Sequence, residues 1–283
     1  MTEHHLRIGD RTVTLLEGPA GWGESSPLPG YRCDPAASRR AAEEAAWDGW
    51  PAAVRDEVAV NALVDEPPVD ADALARYPAV KVKVGRADPD ADVDLVAAVR
   101  GAVGPTVGVR VDANGAWDLD TARSVIARLA RYDLELVEQP VEHLDDLARV
   151  RRAVSVPIAA DESIRSVEDA RRLVSMRAAD VVVLKVQPLG GVRAALRIAE
   201  AAGAPAVVTS MHETSVGIAA GLALAAALPT LPFACGLAAR MPGGDVVRDP
   251  LVPECGRLRV RAVEPDPELL ARYEAPRAPR VTS

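Results

Sequence analysis

Val80-Lys81-Val82-Lys83-Val84 alternates lysine with a β-branched residue, a period of two that reads as a strand with both amines on one side. A lysine in such a run is costly unless a specific partner answers its charge. The chain has one other lysine, Lys185, in a second run of the same kind, Val181-Val182-Val183-Leu184-Lys185-Val186. Every other member of the 33 Lys and Arg residues is arginine. Arginine does not release its proton at a workable pH, whereas a desolvated lysine does. Lysine therefore persists here where proton transfer requires it.

Outward from these runs, short β-branched segments alternate with amphipathic ones. Strands are predicted at residues 80–84, 107–112, 134–138, 157–160, 181–186 and 206–210, with helices at residues 92–100, 121–130, 144–153, 168–175, 192–202 and 216–227. Repeats of this kind predict parallel strands joined by right-handed crossovers, in a closed barrel or an open doubly wound sheet. Lys83, Asp112, Glu138, Asp161 and Lys185 fall at or near the carboxyl ends of successive strands, each about one βα unit from the next. A closed barrel gathers all five on the face where such barrels carry their chemistry, whereas an open sheet strings them along a line. The expectation is an α/β fold of the TIM-barrel type.

Residues 1–78 read differently. A strand at 11–16 leads into Gly21-Trp22-Gly23-Glu24 and a proline-rich loop, then an alanine-rich helical tract at 36–47, and a weak strand before the pair Pro67-Pro68, which reads as a linker. A small α+β domain over 1–78 is expected, a barrel over 79–240, and a tail over 241–283 that wraps back on the first domain as short strands and loops. Gly21 and Gly23 suit a turn with Trp22 packed beneath it.

With 283 residues the chain can bury a large core. One Phe, four Tyr and four Trp leave that core to Val, Leu, Ile and Ala, as in barrel interiors. A net charge of −8 at pH 7 without a basic tract argues against nucleic acid and anionic membrane surfaces. The most apolar stretch, 216–228, is too short to span a bilayer, and the first five residues do not read as a secretory signal. Cys33, Cys235 and Cys255 are odd in number and form no CxxC, which suits a reducing cytoplasm better than a disulfide framework or a zinc site. The oligomeric state is left open, a monomer included.

Three carboxylates with no histidine or cysteine among them suit a hard, oxygen-seeking cation, magnesium best, with manganese able to substitute. Alternation puts Arg110 on the same side as Asp112, and sets Asp161 and Glu162 on opposite sides, so that Glu162 reads as support for the site. A lone acid at a strand end is most often a helix cap or a solvated residue, but the ordered set reverses those odds. His212 and Glu213 suit either a site or a cap, and His143 reads as surface. A lysine at either end of the row, with a divalent ion between, matches the division of labour of enolase-type sites, where a base takes a proton beside a carboxylate.

The motifs Lys81-Val-Lys83, Asp112-Ala-Asn114, Glu138-Gln139-Pro140, Asp161-Glu162-Ser163 and Leu184-Lys185 resemble those of the enolase superfamily, muconate-lactonizing branch, and residues 21–30 are similar to that branch's capping-domain loop. The resemblance implies a modified TIM-type (β/α)7β barrel with a small α+β capping domain, and magnesium held by Asp112, Glu138 and Asp161. Within the branch, the compact length and the run from Cys235-Gly236-Leu237 to Gly244-Asp245-Val246-Val247 are most similar to the o-succinylbenzoate synthases. That likeness implies dehydration of a small carboxylate substrate in menaquinone synthesis. Lys83 would be base and then acid, Lys81 its like-charge neighbour, and Lys185 a cation on the opposite face of the ring. Arg110 and Asn114 would orient ligands, and Ser210 and Gly236 would contact the succinyl side. Racemization of N-acylamino acids and epimerization of dipeptides remain alternatives within the branch, although residues 233–237 lack the acids expected of an epimerase. A non-catalytic metal-binding barrel is the alternative of another class, and it leaves the two lysines unexplained.

Overall fold

A computed structural model describes residues 2–275, so residue 1 of the expected first domain and 276–283 of the expected tail lie outside the described residues. The chain opens with an antiparallel meander, β1 (Thr2–Ile8), β2 (Arg11–Gly18) and β3 (Gly21–Ser25), covered by α1 (Pro35–Glu43) and a wide π-turn over Glu44–Asp48. Gly23 is required by the packing: a Cβ there would stand 2.0 Å from the Ala42 carbonyl oxygen of α1. Trp22 packs against the core beside it, its ring 5.4 Å from that of His4.

Seven parallel strands follow in sequential order: β5 (Ala62–Val64), β6 (Ala79–Lys83), β7 (Gly108–Asp112), β8 (Leu134–Glu138), β9 (Ile158–Ala160), β10 (Val181–Leu184) and β11 (Ala206–Val208). The ring is closed by a segment too short to count as a strand. Cys235 donates to Ala59 and accepts from Asn61, while Gly236 donates to Val208 and accepts from Ser210, so one stretch bridges both edges in parallel. That makes eight positions around a barrel, with Leu136, Ala159, Val181, Val183, Val207 and Phe233 filling the interior. The near absence of aromatics is met by valine and alanine on strands buried on both faces.

The outer layer comprises α2 (Ala71–Leu74), α3 (Pro89–Val103), α4 (Leu119–Leu129), α5 (Leu144–Ala153), α6 (Val167–Met176), the single turn α7 (Val186–Leu189), α8 (Val192–Ala202) and α9 (Ser215–Ala227). Several begin earlier than periodicity alone suggests, because polar caps set the start: Asp88 caps α3 just ahead of Pro89, and Asp118 caps α4. Asp92, expected to open α3, is instead buried and accepts from the Gly85 and Arg86 amides. Helix α9 is apolar all round because it is enclosed, with β11 on one side and β3 on another.

The barrel does not begin at residue 79. Its first strand is β5, and Pro67-Pro68 lies inside the β5–β6 connection. The weak strand expected before Pro67-Pro68 is thus part of the barrel and not of the first domain. The tail is also shared. Strand β12 (Arg257–Arg259) pairs with β4 (Glu57–Ala59), which runs into β5, whereas α10 (Pro267–Tyr273) lies against β1, where Leu6 bridges Glu274.

Candidate active site

The carboxyl ends of the strands open into a cavity of about 630 Å3, roofed by residues 28–32 of the loop after β3. Lys83 and Lys185 both line it. Lys83 ends β6 and Lys185 follows β10, four positions apart in a ring of eight, so the two amines rise from opposite walls. Asp112, Glu138 and Asp161 come from the three strands between them and are 1%, 1% and 3% exposed.

The acids and amines answer one another. Lys81 Nζ donates to Asp112 Oδ2 at 3.0 Å and to Glu138 Oε1 at 3.2 Å. Lys83 Nζ donates to Asp112 Oδ2 and to Asn114 Oδ1, both at 2.7 Å. Lys185 Nζ donates to Asp161 Oδ2 and stands 5.0 Å from the centre of the Tyr31 ring. Burial disfavours charge at every one of these groups, so the outcome depends on neighbours. At Lys81 and Lys185 burial is overcome by the adjacent carboxylates, which hold both ammonium groups above the ordinary lysine range. Asp112, facing two lysines, is held low despite its burial. Glu138 is pushed up to about 7, by burial first and by the Asp112 charge second, with Asp161 adding to it.

That mutual repulsion is the local test of a metal site. Three buried acids, two of which, Glu138 and Asp161, are raised by burial and by the charge of neighbouring carboxylates, offer oxygen donors alone and fit a hard divalent cation. Among the described residues they do not stand as a formed cage of three around one point, because lysine ammonium groups reach in between. The donor chemistry fits Asp112, Glu138 and Asp161 as the holders of such an ion.

Supporting residues sit close by. Asn114, with φ +46°, lies in the left-handed region that asparagine tolerates, and its Nδ2 donates to Glu162 Oε1 at 3.0 Å. The other Glu162 oxygen is buried without a partner, and Glu162 lines the cavity as support for Asn114. Ser210 and Gly236 both line the cavity, and Ser210 Oγ donates to the Gly236 carbonyl at 3.1 Å. Arg110 is not brought to the site. It lies inside the barrel but turns toward the amino-terminal end, where it donates to Glu135 and to the Ala234 carbonyl and stacks 5.9 Å from Phe233. Alternation fixed its side of the strand; the length of the side chain let it reach down instead of up.

Sequence reasoning gave no role to Gln139 or Tyr31. Gln139 is fully buried at φ +38°, and its Oε1 accepts from the Asp161 amide at 2.8 Å and from Ser163, which sets the Asp161 turn. Tyr31 donates to Asp161 Oδ1 at 3.3 Å. Its neighbours Pro29 and Gly30 read only as a loop, and nothing local marks where that loop folds. His212 lines the cavity, Glu213 is buried beneath it, and the cap of α9 is Thr214. His143 is exposed.

The sequence profile described as "Enolase C-terminal domain-like" matches residues 68–266. The chain belongs to that family, the enolase superfamily, whose enzymes use a divalent metal ion. It is 57% identical to the o-succinylbenzoate synthase of Thermobifida fusca, over 95% of this chain and 89% of that one. It is 47% identical to the o-succinylbenzoate synthase of Mycolicibacterium smegmatis, over 94% and 85%. Among solved structures, muconate cycloisomerase from Pseudomonas fluorescens superposes with a TM-score of 0.81 at 26% identity, covering 96% of each chain. No helix among the described residues is long and apolar enough to cross a membrane.

Proposed function

We infer that this chain is an o-succinylbenzoate synthase, a lyase that removes water from 2-succinyl-6-hydroxy-2,4-cyclohexadiene-1-carboxylate to give the aromatic product used in menaquinone synthesis. The observation that carries the reading is the pair Lys83 and Lys185 on opposite walls of one cavity with three buried acids between them. The extent of identity to the two synthases selects this reaction from the others the same constellation can run.

Lys83, as the amine, takes the proton from the ring carbon that bears the carboxylate. It then returns that proton to the hydroxyl leaving from the adjacent carbon. One C–H and one C–O bond break, a ring double bond forms, and water departs on the Lys83 face, which makes the elimination syn. Lys185 stays an ammonium on the other face, held so by Asp161, and its charge steadies the electron-rich ring. Asp112, Glu138 and Asp161 would hold magnesium, or manganese in its place, which would supply Lewis-acid stabilisation of negative charge on the substrate carboxylate. Lys81 fixes Asp112 and Glu138 from below. Asn114 holds the Lys83 amine in register, Glu162 holds Asn114, and Ser210 and Gly236 border the succinyl side. The substrate is a small dicarboxylate, and the cytoplasm is where such a pathway enzyme works.

The test is to supply the cyclohexadiene substrate with magnesium and follow the aromatic absorbance, with chelator as the control. Turnover that a chelator stops and magnesium or manganese restores supports the reading. No turnover, together with deuterium exchange at the α-carbon of N-succinyl amino acids, moves the chain to the racemases.

A further inference from the structure

Gln187 follows Lys185 by two residues, at the start of the single turn α7, and is 2% exposed. Its amide meets three other segments. The Oε1 atom accepts from the Ser26 amide at 2.8 Å and from Ser38 Oγ of α1 at 2.6 Å; the Nε2 atom donates to Ser26 Oγ at 3.2 Å and to Glu213 Oε1 at 3.3 Å. Ser26 is the root of the loop that roofs the cavity and carries Tyr31. The same root is gripped from two further sides. Arg11 of β2 donates to the Ser26 and Met211 carbonyls, and Glu24 of β3 accepts from Ser26 Oγ, from Thr214 and from the Gly217 amide at the start of α9.

The far end of the loop is held only by contacts open to water, one of them the Arg165 side chain donating to the Arg32 carbonyl. Arg32 pairs with Glu142 at 2.6 Å, but their side chains are 75% and 53% exposed, and ion pairs that open to water contribute little. The position of Tyr31 over Lys185 and Asp161 is therefore set from the buried end. There, one amide links the strand end bearing Lys185 to the backbone bearing Tyr31.

We propose that Gln187 is a positioning residue that registers the roof loop, through Ser26, against the Lys185 wall, so that Tyr31 closes over Lys185 and Asp161. It does not reach the cavity itself, since it does not line it. The role deepens the dehydratase reading and rests on it for the kinetic half of the test. The other half is independent of the reaction.

Gln187→Ala is compared with the parent in two measurements. The first is trypsin cleavage after Arg32, read by fragment mass without substrate: release of the loop root is expected to speed that cut several-fold while cuts within the barrel keep their rates. The second is steady-state kinetics in a cycle with Tyr31→Ala. Gln187→Ala is expected to lower kcat/KM about tenfold or more, the size of effect a small misplacement of reacting groups produces. The double variant should lose little beyond Tyr31→Ala, because both act through one contact. Rescue is sought in the paired exchange Gln187→Glu with Glu213→Gln, which reverses donor and acceptor between the two side chains and keeps the acceptor for Ser26. Unchanged Arg32 cleavage, or Gln187→Ala and Tyr31→Ala losses that simply multiply, overturns the proposal. If the parent shows no turnover, the dehydratase reading fails and the cleavage measurement alone decides the role of Gln187.

Discussion

Glu213 allows a test in which the sign of the effect reverses with pH. Its carboxyl is buried, accepts from the Met211 amide at 2.7 Å and more loosely from Gln187 at 3.3 Å, and shares its surroundings with the Glu24 carboxylate and the Arg11 guanidinium. Burial first and the Glu24 charge second push its pKa from 4.5 up to about 7, and Arg11 offsets only part of this. Between those two values the folded chain keeps a proton that the unfolded chain has released. The stability supplied by protonated Glu213 is therefore full below pH 4.5 and is lost as the pH rises through about 7. At about 1.4 kcal/mol per pKa unit, the loss by pH ~8 amounts to about 3 kcal/mol. Glu213→Gln keeps the shape and never ionises, at a cost of about 1 kcal/mol for facing the Gln187 amide with a second donor. The variant should thus be about 2 kcal/mol more stable than the parent near pH ~8, about equal near pH ~5, and about 1 kcal/mol less stable near pH ~4. Urea unfolding of both proteins across that range measures the difference. Glu138 and Asp161, also raised by burial, titrate in both and cancel, and Glu24, raised by burial as well, bears on the difference only through its charge beside Glu213. A difference that does not change with pH refutes the assignment of a buried, proton-holding carboxyl to Glu213.

Two further outcomes follow from the site. Lys83→Arg should abolish turnover, by roughly a factor of 1,000 or more, while the thermal midpoint stays within a few degrees, since arginine keeps the charge facing Asp112 but cannot take a proton; retained activity removes Lys83 as the base. Gly236→Ala places a Cβ 2.8 Å from Thr209 Cγ2, so either the closing segment or Thr209 must shift into the cavity, and KM should rise about tenfold for the succinyl substrate with the fold retained. An unchanged KM would show that this wall does not border the substrate.

What the sequence made legible was whatever period and spacing encode. The strands from β6 to β11 are short apolar runs that recur at one βα unit, so their existence and the side on which Lys81, Lys83 and Asp112 point could be derived before any coordinates. The arrival of five ionisable groups at one rim then follows from closure alone. Strand β5 was legible only as a weak strand without its place in the barrel, and the bridge at Cys235-Gly236 not at all, because both are held by their neighbours: Asn61 donates to Cys235 and Cys235 to Ala59, bonds that no run of residues announces. Arg110 shows the limit of parity. Its side of β7 was right and its direction along the barrel axis was not, since a long side chain can serve either end of a cylinder.

The clasp around Ser26 was illegible for a different reason. Each of Arg11, Glu24, Ser26, Gln187 and Glu213 is unremarkable in its own stretch of sequence, and the separations between them are set by how the capping meander docks on the barrel. Buried polar groups that satisfy one another across a domain contact carry no periodic signature, because their partners come from elements with unrelated phase. They are nonetheless costly to leave unpaired. A buried acid such as Glu213, which lowers stability once it ionises, stands here against the Gln187 amide that also binds the root of the roof loop. The two cavity lysines are thus read from the barrel's own repeat, while the contacts that hold the root of the roof loop exist only in the assembled fold, which is why Gln187→Ala separates the two.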